Sequence, residues 1–230
     1  MKPGSGAPNR SKVLSTVINM VAFVSSNYKY WLDEAAKRAE LMLSSTQVRQ
    51  ILLYIELLLA KNKVMDLTNI TEPEELGIKH LLDSWMLLPE VDRISHLRDK
   101  EKTWTDQLVT LVDVGSGAGF PGMVLKLVRP ELEVLLLDAQ RKRIDFLQEC
   151  IEKLELSGIV AKQMRAEVAG RRPEFRDKFD LATARAVAAL PQLVELCLPL
   201  VKPGGVFLAM KGQDNEANSA RQAIAQLSVG

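Results

Sequence analysis

The chain has 230 residues, of which 47% are hydrophobic and 26% are charged. This length and composition allow one domain with a substantial core and exclude a disordered chain. Lysine and arginine total 30 against 29 aspartate and glutamate residues, a net charge of +1. That balance excludes a protein coated in positive charge, so any contact with nucleic acid must come from a local basic patch.

Cysteine and histidine are scarce. Cys150 and Cys197 lie in apolar helical patterns, which is typical of buried free thiols, and His80 and His96 alone form no plausible zinc constellation. We therefore predict no metal site and a reducing, cytoplasmic setting. No apolar run reaches the roughly 18 residues that a membrane-spanning helix needs, so we predict no membrane partner.

The first 91 residues carry helical patterns. For residues 1–45 we predict an N-terminal extension that is helical or loose, and for residues 46–91 a helical cap. Within the cap, apolar residues repeat every three and four positions over 47–61, after N-cap candidates at 44–46. A second helix is predicted over 72–88, opened by a capping box of Thr71 and Glu74. The charged stretch 92–107 has no clear period and predicts a linker.

From residue 108 short apolar runs alternate with amphipathic helical patterns. The predicted strands are 108–114, 133–137, 160–164, 180–184 and 206–210, and the helices between them are 121–128, 141–156 and 190–201, the last closed by the Pro-Gly-Gly segment 203–205. Strand, helix and strand in series predict an α/β fold with a doubly wound, mostly parallel sheet.

A glycine-rich segment directly follows the first predicted strand and opens a helix. It reads Asp113-Val114-Gly115-Ser116-Gly117-Ala118-Gly119-Phe120-Pro121-Gly122. Glycines at such a turn let the backbone bend sharply and approach a ligand with no Cβ in the way. We therefore predict a site for a nucleotide-like cofactor. To it we assign Asp113, Gly115, Ser116, Gly117, Gly119 and Phe120.

Two cofactors compete for this loop. Three glycines from Gly117 to Gly122 match the G-x-G-x-x-G dinucleotide fingerprint, which keeps a nicotinamide or flavin enzyme open. The glycine series starts earlier, at Gly115, and its spacing suits the amino acid half of S-adenosylmethionine. Pro121 lacks a backbone donor, and Asp113 would oppose a pyrophosphate but attract an ammonium group. S-adenosylmethionine is the favoured cofactor.

Three further strand ends lead to the same edge of the sheet. Asp138 ends the second strand, where a carboxylate accepts hydrogen bonds from the ribose of either cofactor. Ala166 and Glu167 follow the third strand, beside the expected adenine. Arg185 ends the fourth strand, over the cleft in which open sheets bind their ligands. All four residues are assigned to the cofactor site.

Several separated motifs occur in order along the chain. They are Asp66-Leu67-Thr68, His80-Leu81-Leu82-Asp83-Ser84, the glycine loop, Leu137-Asp138, Lys142-Arg143, Arg165-Ala166-Glu167, Thr183-Ala184-Arg185-Ala186 and Lys211-Gly212. With these motifs the chain resembles the RsmG family (glucose-inhibited division protein B), which methylates N7 of a guanine in 16S ribosomal RNA. The His-x-x-Asp-Ser helix together with Thr-Ala-Arg-Ala is the specific pair.

The resemblance implies an S-adenosylmethionine-dependent methyltransferase with an N-terminal helical cap. It implies that Gly115, Phe120, Ala166, Glu167 and Arg185 line the cofactor site, with Asp138 on the ribose. It also implies that His80, Asp83 and Ser84 face the same cleft, where with Arg185 they are candidates for positioning the substrate. Guanine N7 has a free lone pair, so no residue is needed as acid or base. The implied partner is 16S ribosomal RNA, either bare or in the small ribosomal subunit. We predict that the enzyme is a monomer.

Basic residues that follow the strand ends are candidates for RNA contact. They are Arg141, Lys142, Arg143, Arg165 and Lys211, whereas for Arg171 and Arg172 a solvated helix face is the favoured interpretation. With a net charge of +1, we expect weak affinity for naked RNA.

Methyltransferases of this class carry two further strands after the fifth, so we expect the core at 108–230 to stop before them. Three alternatives stay open: a small-molecule methyltransferase with the same cofactor, an NAD-dependent oxidoreductase, and an inactive truncated remnant. The oxidoreductase is disfavoured because Tyr28, Tyr30 and Tyr54, the tyrosines that could act as its catalytic acid, lie in the N-terminal helical part.

Overall fold

Five parallel strands organise the part of the protein that the structure describes. The structure, a computed structural model, describes residues 26–101, 108–185 and 189–210. The strands are β1 (Thr110–Val114), β2 (Glu133–Asp138), β3 (Ile159–Gln163), β4 (Phe179–Arg185) and β5 (Val201–Met210). Their order in the sheet is β3-β2-β1-β4-β5, and every neighbouring pair is parallel. The predicted doubly wound parallel sheet is confirmed.

Helices precede the sheet and connect its strands. Those before β1 are α1 (26–38), α2 (Ser45–Asn62), α3 (Pro73–Glu75), a π-helix (Leu76–Leu82), α4 (Asp83–Trp85) and α5 (Leu88–Glu101). Those after it are α6 (Gly122–Val128), α7 (Arg141–Lys153), α8 (Ala166–Ala169) and α9 (Leu190–Cys197), which a 3₁₀ turn (Leu198–Leu200) extends to β5.

Alternate residues of the central strands enter different cores. Leu111 and Leu136 pack with the helices on one face, whereas Val112, Leu135 and Leu193 belong to the core on the other face. Side chains alternate along a strand, so a sheet covered on both faces needs apolar residues at successive positions. This requirement explains why the predicted strands appear in the sequence as short continuous apolar runs.

The helical cap packs directly on α6, beside the glycine-rich turn. The indole N–H of Trp85 donates to the Val124 carbonyl at 3.3 Å. The guanidinium of Arg129 forms a two-pronged ion pair with Asp92, with N–O distances of 2.8 and 2.7 Å. These contacts fix the cap next to the carboxyl ends of the strands.

The start of the second cap helix differs from the prediction. The capping box of Thr71 and Glu74 is wrong, because Glu72 is the N-cap of α3 and makes no capping hydrogen bond with its side chain. The Thr71 carbonyl instead accepts a hydrogen bond from the Tyr28 hydroxyl of α1 at 2.6 Å. This end of the helix is set by packing against α1 rather than by a local side-chain cap.

Two other boundaries also differ. The predicted linker over 92–107 is helical as far as Glu101, since Leu88, Val91 and Ile94 give α5 a narrow buried face within a charged sequence. Strand β5 begins at Val201 and runs through the segment 203–205 that was predicted to close the preceding helix. Gly204, with φ of 81°, lets the strand continue through that segment.

Some expectations fall on residues outside the described ranges, namely 1–25, 102–107, 186–188 and 211–230. They include the role of Lys211 and the end of the sheet beyond β5. Cys150 and Cys197 are buried free thiols, as predicted. Within the described ranges, no helix is long and apolar enough to cross a membrane, and no three His, Cys, Asp or Glu side chains group as metal ligands would.

Candidate active site

A cleft opens at the carboxyl ends of the central strands, where open parallel sheets bind ligands. It consists of two adjacent cavities of about 410 and 220 Å³, which share Gly115, Asp138 and Ala139. The larger cavity lies between the glycine loop and the helical cap. The smaller one lies toward the residues that follow β3 and toward α9.

The glycine loop, residues 115–120, is held by its own backbone. The N–H groups of Gly115 and Ser116 donate to the Leu137 carbonyl of β2 at 2.7 and 3.1 Å, and that of Gly119 donates to the Ser116 carbonyl at 2.6 Å. Gly115, Gly117 and Gly119 have φ values of 70°, 57° and 101°. Residues with a Cβ rarely adopt such values, so the loop requires glycine at these positions.

The glycines differ in what surrounds them. A Cβ on Gly119 would lie 2.6 Å from the Tyr54 hydroxyl oxygen, and one on Gly122 would lie 2.6 Å from Leu136 Cδ2. A Cβ on Gly117 would meet no atom nearer than the Gly115 carbonyl oxygen at 3.8 Å. Gly119 and Gly122 are therefore fixed by packing, whereas Gly117 borders open space in the larger cavity.

Asp138 ties the end of β2 to the loop. Its carboxylate accepts hydrogen bonds from the N–H groups of Gly117 and Gln140 at 2.9 and 2.8 Å. The half-buried Arg143 guanidinium lies 3.3 Å from the same carboxylate. A carboxylate offers about four acceptor positions, so Asp138 retains capacity for a ligand hydroxyl in either cavity.

Asp113 lies beneath the loop and lines neither cavity. Its carboxylate accepts hydrogen bonds from the Thr183 hydroxyl at 2.8 Å and the Gly122 N–H at 3.2 Å. Burial raises its pKa to about 6. The Ser116 hydroxyl, predicted as part of the cofactor site, donates to the Asp113 backbone carbonyl at 2.8 Å. Asp113 thus joins β1, β4 and α6 and supports the loop from below.

His80 forms the cap wall of the larger cavity. Its Nε2 lies 2.9 Å from the Thr68 hydroxyl and its Nδ1 lies 3.3 Å from the Lys79 carbonyl. A carbonyl only accepts, so Nδ1 carries the proton and Nε2 accepts from Thr68. Burial, aided by the charge of Arg185, lowers the pKa of His80 to about 4. The imidazole is neutral near pH 7, and its ring stacks on Phe120 with centroids 4.3 Å apart.

Arg185 closes the same wall at the end of β4. Its guanidinium donates to the Lys79 carbonyl at 3.0 Å and lies 5.2 Å from the centroid of the Phe120 ring. Burial lowers its pKa, but Asp113, Tyr54 and Asp83 act against that shift. Arg185 therefore presents a positive charge to the cavity next to the Phe120 ring, on which His80 stacks.

The other two residues predicted with His80 do not line the cleft. Ser84 is fully buried and its hydroxyl donates to the His80 carbonyl at 2.6 Å. Asp83 is exposed and lines neither cavity, although its charge raises the pKa of Arg185. The prediction that all three face the cleft is wrong for Asp83 and Ser84, which follow the π-helix in α4, where Asp83 is exposed to solvent and Ser84 is buried in the protein interior.

The smaller cavity includes Ala166 and Glu167, the two residues predicted to lie beside the adenine. Met164, Ala166, Glu167 and Leu196 line it, together with Arg165, the N-cap of α8. Its apolar walls and the neighbouring Asp138 fit the adenine and ribose of an adenosine ligand. Arg165 and Glu167 are exposed at its rim.

The predicted RNA-binding residues fall into two groups. Arg143 is tied to Asp138 and lines the larger cavity, and Arg141 pairs with Asp145 at 2.7 Å. Lys142 and Arg165 are exposed and make no ion pair within the described part of the chain. Of the four that the structure describes, only Arg165 both lines a cavity and has no ion-pair partner among the described residues.

Two residues were missed as site residues. Thr68 was part of a quoted motif but received no role, although its hydroxyl fixes the tautomer of His80. Asn62 in turn accepts hydrogen bonds from the N–H groups of Leu67 and Thr68 at 2.8 and 3.0 Å. A polar residue at the end of a helix, such as Asn62, or in a loop, such as Thr68, is too common a signal to reveal either role.

The fold and the cleft together define a Rossmann-like protein of the methyltransferase type. The sequence matches the family described as rRNA small subunit methyltransferase G over residues 47–229. The ribosomal RNA small subunit methyltransferase G of Acetivibrio thermocellus is 43% identical over 80% of this chain and 71% of that protein. The one from Leuconostoc mesenteroides is 41% identical over 84% of this chain and 78% of that protein.

Solved structures resemble the chain less closely. Precorrin-6y C5,15-methyltransferase from Geobacter metallireducens aligns with 56% of this chain and 67% of that chain, at 12% identity and a TM-score of 0.42. The family assignment therefore rests on the sequence matches. The chain belongs to the rRNA small subunit methyltransferase G family, and the predicted resemblance is confirmed.

Proposed function

We propose that this chain transfers the methyl group of S-adenosylmethionine to N7 of a guanine in 16S ribosomal RNA. Membership of the family supports the reaction class and the ribosomal substrate. The geometry of the glycine loop supports the cofactor.

The choice of cofactor rests on one observation, which is that the backbone N–H groups of the glycine loop already donate hydrogen bonds within the protein. The N–H groups of Gly115, Ser116, Gly117 and Gly119 all donate within the protein. A pyrophosphate at a glycine-rich turn is bound by free N–H groups. Here one of those groups donates to the carboxylate of Asp138, whose charge would also repel phosphate. This arrangement favours an adenosine with a cationic sulfur over a dinucleotide.

Each part of the donor has a candidate partner in the cleft. Asp138 would accept from a ribose hydroxyl, and the cavity beside Ala166 and Glu167 would take the adenine. The open space next to Gly117 would admit the amino acid half. Arg185 would clamp the donor carboxylate or an RNA phosphate, because its guanidinium reaches the larger cavity.

The chemistry needs little from acid or base groups. When bound, S-adenosylmethionine supplies an electrophilic methyl group. Guanine N7 would accept the methyl group with its free lone pair and the purine would gain positive charge, so no residue would need to transfer a proton. The protein therefore contributes mainly through proximity and orientation.

The state of His80 agrees with this chemistry. Both ring nitrogens are engaged inside the protein, so His80 serves as wall rather than as a base. Its low pKa keeps the imidazole uncharged, so that His80 adds no further cation to the cleft. That matters because the purine gains positive charge in the transition state and a neighbouring cation would oppose it.

RNA contact would rest on Lys142 and Arg165 at the rim of the cleft. Few phosphate contacts and a net charge of +1 predict weak binding to naked RNA. A folded or protein-bearing small subunit is the substrate that we propose. Tight binding to short RNA that does not depend on salt would contradict this part of the proposal.

The test is to map N7-methylguanine in 16S RNA by chemical cleavage after incubation with the protein and S-adenosylmethionine. We expect one new cleavage site with small subunits and much less product with naked RNA. The Arg185→Ala variant should lose most of the product. If the protein binds S-adenosylhomocysteine but methylates no ribosomal RNA, a small-molecule methyltransferase becomes the better assignment.

A further inference from the structure

Tyr54 of α2 is a fully buried polar residue whose hydroxyl reaches the glycine loop. The hydroxyl donates a short hydrogen bond to the Ala118 carbonyl. Burial raises the pKa of Tyr54 well above its ordinary value, so the phenol keeps its proton and acts as donor. Tyr54 lines neither cavity and therefore does not touch a ligand there.

The bond fixes a peptide unit that is held at its other end as well. The Ala118 carbonyl and the Gly119 N–H belong to one planar peptide group and point in opposite directions. Tyr54 binds the carbonyl, while the N–H donates to the Ser116 carbonyl at 2.6 Å. Gly119 makes this close approach possible, since a Cβ there would lie 2.6 Å from the hydroxyl oxygen.

That peptide lies between the two parts of the loop that face the larger cavity. On one side is Gly117, whose N–H donates to Asp138 at 2.9 Å. On the other side is Phe120, whose ring contacts the Tyr54 ring with centroids 5.6 Å apart and planes tilted by 56°. The same Phe120 ring stacks on His80. A rotation of the fixed peptide would move both neighbours.

We infer that Tyr54 is a positioning residue for the methyl donor, acting through the Ala118–Gly119 peptide on the cavity face of the glycine loop. The inference rests on the proposed function for the identity of the donor. It assigns a role in the cofactor site to a helix that lies far from the loop in sequence. Without the hydroxyl, the loop is expected to sample other conformations and to bind the donor less tightly.

Tyr54→Phe tests the inference because it removes one oxygen and keeps the ring. We expect the Kd for S-adenosylhomocysteine, measured by calorimetry, to rise about five- to tenfold, in line with the loss of one buried hydrogen bond. The KM for S-adenosylmethionine should rise by a similar factor. The kcat at saturating donor and the KM for small subunits should stay within about twofold.

Tyr28→Phe is the matched control, since it also removes a tyrosine hydrogen bond to a backbone carbonyl in the cap, that of Thr71. It should leave the Kd for S-adenosylhomocysteine unchanged. A second readout needs no ligand: amide hydrogen exchange at Gly119 should be faster in Tyr54→Phe, while exchange at Gly115, whose N–H is bound to Leu137, should not change.

An unchanged Kd in Tyr54→Phe, or an equal rise in both variants, would overturn the inference. Unaltered exchange at Gly119 would also overturn it. If the wild-type protein binds no S-adenosylhomocysteine, both the proposed cofactor and the inference are rejected. If the wild type and Tyr54→Phe bind it equally well, only the inference is rejected.

Discussion

The two walls of the cleft are built in different ways. The loop wall, from Gly115 to Phe120 with Asp138, comes from two adjacent strands and is stabilised by backbone hydrogen bonds. The cap wall comes from helices before the sheet, and side chains such as Thr68 and His80 hold it together. The loop wall is therefore set mainly by backbone geometry within one strand-turn-strand unit, with an additional long-range hydrogen bond from Tyr54. The cap wall is set by side-chain contacts and by the π-helix Leu76–Leu82.

The largest effect is expected at Asp138 in the loop wall. Asp138→Ala leaves the N–H groups of Gly117 and Gln140 without their acceptor and removes the proposed ribose contact. We expect the Kd for S-adenosylhomocysteine to rise about a hundredfold, since several hydrogen bonds to a charged group are lost together. Calorimetry measures this.

Asp145→Ala is the control for that variant. Asp145 lies on the exposed face of α7 and pairs with Arg141 at 2.7 Å. Exposed pairs contribute about 0–1 kcal/mol, so the affinity for S-adenosylhomocysteine should not change. Wild-type affinity in Asp138→Ala would contradict the assignment of the loop wall.

Substitutions at two glycines, Gly122 and Gly117, distinguish residues that support the loop from residues that border the ligand. Gly122→Ala places a Cβ 2.6 Å from Leu136 Cδ2 and 2.7 Å from Asp113 Cβ, so we expect the free energy of unfolding to fall by about 1–3 kcal/mol. In Gly117→Ala the added Cβ meets open space, and the only cost is that of an alanine at φ of 57°. We expect the free energy of unfolding to fall by only about 1 kcal/mol.

Donor affinity should rank these two glycine variants in the opposite order. Gly117→Ala projects a methyl group toward the larger cavity. We therefore expect it to weaken the binding of S-adenosylhomocysteine more than Gly122→Ala does. Urea unfolding and calorimetry on both variants check this. Equal losses of stability would show that the distinction between the two glycines is wrong.

Thr68→Val sharpens the account of the cap wall. It removes the donor to His80 Nε2 and the acceptor for the Ile70 N–H. We expect the free energy of unfolding to fall by about 1 kcal/mol and methyl transfer to slow a few-fold. Nitrogen NMR of the imidazole should show a loss of the single Nδ1–H tautomer. A tautomer that persists in the variant would mean that Thr68 does not set it.

The smallest net effect is the dependence of stability on pH, because His80 in the cap wall and Asp113 beneath the loop contribute with opposite signs. The pKa of His80 is lowered from 6.5 to about 4. Between these values the unfolded chain binds a proton that the folded chain does not, so the contribution of His80 falls as pH falls. The pKa of Asp113 is raised from 3.8 to about 6, so its contribution rises as pH falls through that window.

His80→Gln separates the two contributions. The difference in the free energy of unfolding between the wild type and the variant should shrink as pH is lowered from about 7 to about 4, because only the wild type carries the histidine. Denaturant unfolding at several pH values measures it. A difference that does not depend on pH would contradict the buried, neutral state of His80.

The contrast between the walls also explains what could be predicted from the sequence. Alternating apolar runs indicated the strands, and the glycines with Asp138 indicated the loop wall, because these signals act over a few residues. The hydrogen bond of Tyr54 to Ala118 joins residues 64 apart, and no local pattern reveals it. Asp83 and Ser84 were assigned to the cleft from the resemblance, and the sequence carried no sign that Leu76–Leu82 is a π-helix, which changes the angular spacing of the residues around it.

Direct calorimetric titration with S-adenosylhomocysteine and, separately, with NADH tests the central claim most directly. Because the loop N–H groups donate within the protein and Asp138 is charged, we predict that the protein binds S-adenosylhomocysteine and does not bind NADH. Asp138→Ala should weaken the binding of S-adenosylhomocysteine. Binding of NADH to the wild-type protein without any affinity for S-adenosylhomocysteine would contradict the account.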